Sequence, residues 1–252
     1  MNVNFRLYRQ YVLVGAIIHI SGLVDALTTV DLGGMASYEF GEFAYKCRKV
    51  IGAGLNYKKI IKERNLVTPK TPVIFLKPPS SLITEPEHIE IADGSEVHHE
   101  VEMGIIISQR CKKVNRYDAL NCIAGYCLAL DLTEVRHLKH AREHGLPWTV
   151  GKSFDTACPV SDFIPEHEIK DPDDVPLWLK VNGELRQKST TGDMLFKTGD
   201  LISYISQHMT LEPYDLILTG TPSGTGPLKD GDVIEAGLGK DLVKVTFRVK
   251  TV

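Results

Sequence analysis

The stretch Glu96-Val-His-His-Glu100-Val-Glu102-Met-Gly-Ile-Ile-Ile107 reads as a strand. Period-2 geometry then puts Glu96, His98, Glu100 and Glu102 on one face and Val97, His99, Val101 and Met103 on the other. Neighbouring carboxylates on one face repel each other, and if that face is enclosed they need a cation or a proton between them. All-oxygen ligation favours Mg²⁺ or Mn²⁺ over zinc. A solvated strand face carrying Glu-x-Glu is the competing reading, and these residues alone leave it open.

On either side the chain is rich in short apolar runs: Val50 to Leu55, Val73 to Leu76, Gly125 to Leu130 and Leu216 to Leu218. Their length and flanking turn residues favour strands. Asn182-Gly183 lies between two such runs, Trp178 to Val181 and Glu184 to Gln187, and predicts a type I′ hairpin. Near the C-terminus Val243, Val245, Phe247 and Val249 alternate with polar residues, so one strand face is buried. Three short helices are expected: one capped by Asn56 and running through Arg64, one capped by Thr133 over Glu134 to His144, and one opened by Asp200 and ending near Met209.

The chain has 252 residues, 43% hydrophobic and 24% charged, with 29 Lys and Arg against 32 Asp and Glu. That composition is globular, and without a basic excess nucleic acid is not an expected partner. Five cysteines without a Cys-x-x-Cys pair argue against a disulfide framework or structural zinc. Residues 1 to 34 contain Arg6 and Arg9 but no acid before Asp25. The apolar run from Tyr11 to Val24 is too short for a span of about 20 residues, so no membrane anchor is expected. An Arg-bearing, acid-poor start suits a mitochondrial transit peptide, the alternative being an unused extension on a cytoplasmic protein. Residues 35 to 252 are expected to form a single domain, because no repeat, linker or composition shift follows residue 45.

Asp131 ends the run Gly125 to Leu130 and is a candidate ligand at a strand end, or equally a helix cap. The loop Thr219-Gly220-Thr221-Pro-Ser-Gly224-Thr-Gly226 lacks the Gly-Lys-Ser/Thr ending of a phosphate loop. Its small residues suit holding a carboxylate, or simply a wide turn. His137, His140 and His144 recur at helical spacing and are expected to face solvent rather than a metal.

Five segments occur in a telling order: H-H-E-V-E-M-G from 98 to 104, A-L-D-L-T from 129 to 133, G-K-S-F-D-T-A-C-P-V from 151 to 160, K-V-N-G-E-L-R-Q from 180 to 187, and M-T-L-E-P-Y-D-L-I-L-T-G-T-P-S-G-T-G from 209 to 226. From about residue 47 onward the chain resembles the fumarylacetoacetate hydrolase family, and within it the small mitochondrial branch of acylpyruvases and oxaloacetate decarboxylases or tautomerases. The resemblance implies an α+β, strand-dominated fold, a mixed β-roll with short peripheral helices, usually homodimeric. It implies that Glu100, Glu102 and Asp131 bind the metal, that Lys152 is the active-site lysine, and that Gly220 and Thr221 belong to the substrate-carboxylate loop. Glu63 matches the glutamate of a lid dyad, and Lys77 a substrate-side lysine near that lid.

Four positions depart from the branch: Leu55 replaces an arginine, Ile60 the lid histidine, and Val135 and Leu138 an arginine and a glutamine. The expected chemistry is a metal-stabilised enolate of a 2-oxo acid, leading to tautomerisation, decarboxylation or hydrolysis. Only hydrolysis needs a dedicated base for water, so losing the histidine penalises it most. Two alternatives remain: a non-catalytic metal and 2-oxo acid binding protein, and a family enzyme for a more apolar substrate.

Overall fold

A computed structural model describes residues 40–252. The expected extension over residues 1 to 34 lies outside the described residues. Strands dominate. A six-stranded sheet runs Ile164–Pro165, Ile123–Leu130, Val101–Ile107, Leu216–Leu218, Val50–Gly54, Val73–Lys77 in spatial order. All its pairs are antiparallel except Val50–Gly54 with Leu216–Leu218. A second, five-stranded sheet runs Glu184–Thr190, Pro176–Val181, Val233–Leu238, Val243–Thr251, Ile89–Ile91.

The period-2 reading explains how these sheets meet. Val101, Met103, Ile105 and Ile107 join one core with Leu177, Leu179, Ile234, Val245 and Phe247 of the second sheet. On the opposite face Ile106 packs with Val50, Cys127, Leu216 and Leu218. Both faces of the central sheet are therefore covered, and Glu102, on the Ile106 side, is carried into the interior. Asn182 and Gly183 have φ of 52° and 78°, the positive pair that the type I′ hairpin needs. All five cysteines are free and buried. No helix among the described residues is long and apolar enough to cross a membrane.

The helices are short and peripheral, but their starts differ from expectation. The first covers Lys58–Glu63 with Tyr57 at its N-cap. Asn56 does not cap it; its amide bonds the Phe196 and Thr219 carbonyls at 3.0 and 2.8 Å and accepts from Phe196 N, tying two distant segments together. The second covers Val135–His144, and Glu134 rather than Thr133 caps it by accepting from His137 N at 2.6 Å. Thr133 sits instead in a short strand opposite His98, its hydroxyl engaged in the site described below. The third covers Thr198–His208; Asp200 is inside the first turn and accepts from Lys197 N. For the first two helices a tertiary partner, invisible in local sequence, took the expected capping side chain, whereas Asp200 keeps a local bond to the N-cap backbone.

Candidate active site

Two adjacent strands supply the acids. In the Val101–Ile107 and Ile123–Leu130 pair, Val101 stands opposite Leu130, so Glu100 and Asp131 flank the same end of the ladder and Glu102 follows on the same face as Glu100. Carboxylate oxygens from Glu100, Glu102 and Asp131 lie within 4.8 Å of one another. Lys152, at the end of the short helix Thr149–Lys152, is buried beside them. Its ammonium donates to Glu100 Oε2 at 3.1 Å, to Thr133 Oγ1 at 2.7 Å and to Asp131 Oδ2.

Small residues make this approach possible. A Cβ on Gly151 would lie 2.9 Å from Leu138 N and 3.0 Å from Glu134 O, so only glycine lets the lysine-bearing turn press against the Val135–His144 helix. A Cβ on Gly52 would strike the Phe75 ring, which instead occupies that space and places Lys152 Nζ 4.6 Å from its centroid.

The electrostatics are unequal among the acids. Burial pushes the Asp131 carboxyl upward, but the Lys152 and Lys77 charges overcome it and hold it below its usual value. Glu100 is raised by burial in spite of Lys152. Glu102 is raised furthest, by burial and by the Asp131 and Glu100 charges, with Gly220 N as a hydrogen-bond donor at 2.5 Å. Burial would lower Lys152, yet Asp131 and Glu100 raise it, so it stays an ammonium. Two ammonium groups, Lys152 and Lys77, face three clustered carboxylates, Glu102 and Asp131 buried and Glu100 partly so, and ionising all three leaves one negative charge uncompensated. Asp131 Oδ1 also lacks a hydrogen-bond donor although Lys77 Nζ is 3.0 Å away, because Lys77 donates to the carbonyls of Leu132, Lys152 and Ala157. A buried all-oxygen set with excess charge and a free lone pair fits a hard divalent ion.

Thr221 lines the same cavity. Its hydroxyl donates to Val101 O at 2.9 Å and accepts from Gln187 Nε2 at 2.8 Å. Gln187 escaped the sequence reading. It is fully buried: Nε2 also donates to Pro222 O, and Oε1 accepts from Val101 N and His99 Nδ1. Because Oε1 can only accept, His99 carries its proton on Nδ1, and burial holds that imidazole below its usual pKa. The signal was present in K-V-N-G-E-L-R-Q, but nothing local says that a residue in the middle of a hairpin arm reaches a distant loop.

Three other expected site residues are placed differently. Lys77 is buried without solvent exposure, spends its protons on backbone carbonyls, braces Asp131 and the Lys152 turn, and is not among the residues lining the cavity. Gly220, with φ of 100° and a missing Cβ that would lie 2.7 Å from Asn56 Cβ, uses its N–H on Glu102. Glu63 is half-exposed, pairs with Lys59 at 3.7 Å and does not line the cavity. Of the four departures, Leu55, Ile60 and Leu138 line the cavity beside Phe75 and Trp148, whereas Val135 lines an outer groove. Leu55 has φ of 56°, a left-handed conformation rare for a bulky residue and characteristic of functional sites.

Residues 49–250 match the fumarylacetoacetate (FAA) hydrolase C-terminal family. Oxaloacetate tautomerase FAHD2, mitochondrial, of Oryza sativa subsp. japonica is 47% identical over 206 residues, 80% of this chain and 91% of that protein. Oxaloacetate decarboxylase, mitochondrial, of Dictyostelium discoideum is 46% identical over 194 residues, 76% of this chain and 88% of that protein. Among solved structures, fumarylpyruvate hydrolase from Pseudomonas aeruginosa in complex with Mn²⁺ and pyruvate superposes with a TM-score of 0.77 at 26% identity, covering 82% of this chain and 91% of that one.

Proposed function

The chain belongs to the fumarylacetoacetate hydrolase family, and from that premise we propose that it is a mitochondrial, Mg²⁺- or Mn²⁺-dependent oxaloacetate tautomerase, with decarboxylation as a companion outcome. Acylpyruvate hydrolysis is subordinate. The observation that carries this reading is the convergence of Glu100, Glu102 and Asp131 within 4.8 Å, beside buried Lys152. The names of the relatives support both the substrate and the compartment.

When bound, a divalent ion supplies Lewis-acid stabilisation of the enolate of a 2-oxo acid. Glu100, Glu102 and Asp131 would hold it. Lys152 brings a permanent positive charge to the same place, in surroundings whose low polarisability makes that charge count for more than it would in water. Thr221, fixed by Gln187, is assigned to the substrate carboxylate. Exclusion of water falls to Leu55, Ile60, Phe75, Leu138 and Trp148.

Tautomerisation moves a proton between carbon and oxygen and needs no attacking water. Hydrolysis does need one, and a general base is worth about 10²–10⁴-fold. No histidine lines this cavity among the described residues, and Ile60 stands where the resemblance placed one. We therefore rank the enolate-only outcomes first. Assembly as a homodimer is carried over as an expectation that light scattering checks.

The test is a spectrophotometric assay of enol-to-keto conversion of oxaloacetate, with Mg²⁺ and after chelation, beside acetylpyruvate hydrolysis. Metal-dependent tautomerisation exceeding hydrolysis is expected. Tight oxalate binding with no turnover of any 2-oxo acid would replace the enzyme by a binding protein.

A further inference from the structure

We propose that the chain carries a second small-molecule site, at the other end of the 219–226 loop, that takes a small hydroxycarboxylate and signals its occupancy to Thr221 through His99 and Gln187.

Gly224, Thr225 and Gly226 line a cavity of about 510 Å³ that shares no lining residue with the cavity holding Glu100, Glu102 and Asp131. That volume suits a small organic molecule. His99 lines it although the residue is only 1% exposed. A Cβ on Gly226, its partner across a short antiparallel ladder, would lie 3.6 Å from His99 Nε2, so glycine keeps the space in front of that nitrogen open. Nδ1 donates to Gln187 Oε1 at 2.9 Å, which makes Nε2 of the neutral ring an acceptor. No described residue donates to it.

Most other polar groups of this cavity are already engaged. Asn182 donates to Asp232 Oδ1 and accepts from Val233 N, and Asp232 Oδ2 accepts from Lys229 N. Thr225 Oγ1 accepts from Arg64. The Lys229 ammonium has no hydrogen-bond or ion-pair partner among the described residues. Arg186 meets Glu184 at 3.0 Å through one nitrogen, a half-exposed contact that leaves its remaining N–H donors for a ligand. The charges of Arg186 and Asp232 both act on the His99 ring, which places them close to it. Two cations and one buried lone pair are thus unspent. A carboxylate answers the cations, and the lone pair needs a hydroxyl donor beside that carboxylate. A plain dicarboxylate meets only the first need.

The connection to the active site is two hydrogen bonds long. Gln187 accepts from His99 on Oε1 and donates from Nε2 to Thr221 Oγ1 at 2.8 Å. A ligand hydroxyl donating to His99 Nε2 polarises the ring and strengthens its Nδ1–H bond, which firms Gln187 and with it Thr221. This connection rests on the role proposed for Thr221; the binding site itself does not.

The experiment is calorimetry on the full chain with Mn²⁺ and saturating oxalate, which fills the carboxylate-lined cavity. Malate and succinate, which differ by one hydroxyl, are titrated in. Malate is expected to bind at one site and succinate about tenfold more weakly. Gly226→Ala sets a methyl against Nε2, and Lys229→Gln removes a cation; each is expected to weaken malate about tenfold, and the first also erases its advantage over succinate. No malate binding, equal binding of succinate, or a malate affinity that survives either substitution overturns the site. Gly226 and Lys229 lie outside the carboxylate-lined cavity, so their effect locates the binding whether or not oxalate binds. Kinetics tests the connection. Competition by malate at the active site is common to parent and Gly226→Ala, so the KM for oxaloacetate with malate, divided by that without, is expected to be about fivefold lower in the parent. Equal ratios overturn the coupling to Thr221.

Discussion

Lys77 and Asp131 form an ion pair at 3.0 Å in which the side chains are 0% and 2% exposed. Lys77 also joins the carbonyls of Leu132, Lys152 and Ala157, so one ammonium group fixes a metal-site acid and the backbone on either side of it. Replacing Lys77 with Met removes one of the two counter-charges of a buried carboxylate, Lys152 being the other, and leaves three carbonyls without that donor. In metal-free protein the expected loss of stability is about 3–5 kcal/mol, measured by urea denaturation. Saturating Mn²⁺ should recover part of it, because the added cation offsets the missing one, and the metal-induced rise in Tm should be larger than in the parent. A loss below about 1 kcal/mol would mean that the pair is not structurally important.

Glu102 makes the opposite case. Its carboxyl is raised well above 4.5 by burial and by Asp131 and Glu100, so folding takes up a proton there. In chelator-treated protein, that contribution weakens stability as pH rises from the ordinary glutamate value through the raised one. Asp131, held low, has the reverse sign and loses its stabilisation as pH falls, a trend that Glu102→Gln leaves in place. The variant should thus flatten the decline on the rising side of pH, be at least as stable as the parent near neutrality without metal, and show no Tm shift on adding Mg²⁺ or Mn²⁺. Superimposable pH profiles, or a retained metal shift, would refute the role given to Glu102.

What could be read before folding follows from which forces are local. Glu100 and Glu102 were legible because period-2 geometry puts them on one face, and the Asn182-Gly183 hairpin because only certain residues take its φ values. Asn56 and Thr133 misled because a side chain suited to capping is equally suited to long-range bonds, and the bonds to Phe196, Thr219 and Lys152 depend on chain segments far away. The partners of Lys77 were hidden for a related reason. Its sequence neighbourhood, Phe75-Leu-Lys77-Pro, gives no hint that three carbonyls from two other segments surround the ammonium. The apolar departures at Leu55, Ile60 and Leu138 could be noted in sequence, but their convergence on one cavity, without Val135, came only with the fold.

Gln187 is expected to act through Thr221 without touching substrate. Gln187→Leu keeps the volume but leaves Val101 N–H, His99 Nδ1–H and Pro222 O unpaired in the interior. Each unsatisfied group costs about 1–3 kcal/mol, so a substantial loss of stability is expected in denaturant titration. In the folded fraction, a displaced Thr221 should raise KM for oxaloacetate several-fold while kcat changes less. A proportionate fall in kcat with constant KM would show that Gln187 serves the chemical step and not the grip on the substrate.

Ile60→His tests why hydrolysis is ranked below tautomerisation. Ile60 is buried at the cavity wall, on the helix that also carries Glu63, and a histidine there would put an imidazole within the chamber that holds Glu100, Glu102, Asp131 and Lys152. Burial depresses the pKa of an imidazole, so the new residue should be neutral and able to accept a proton near pH 7. Acetylpyruvate hydrolysis should then rise at least tenfold, a fraction of the roughly 10²–10⁴ that a well-placed base delivers, since Glu63 is paired with Lys59 and not positioned to orient the ring. Oxaloacetate tautomerisation, which needs no activated water, should gain nothing from the change. Metal affinity for Mn²⁺, measured by calorimetry, should hold, because none of the three carboxylates has been altered. Were hydrolysis to remain flat in a folded, metal-binding variant, the missing imidazole would not be what limits it, and the cause would have to be sought in Leu55 and Leu138, the other apolar replacements on the same wall.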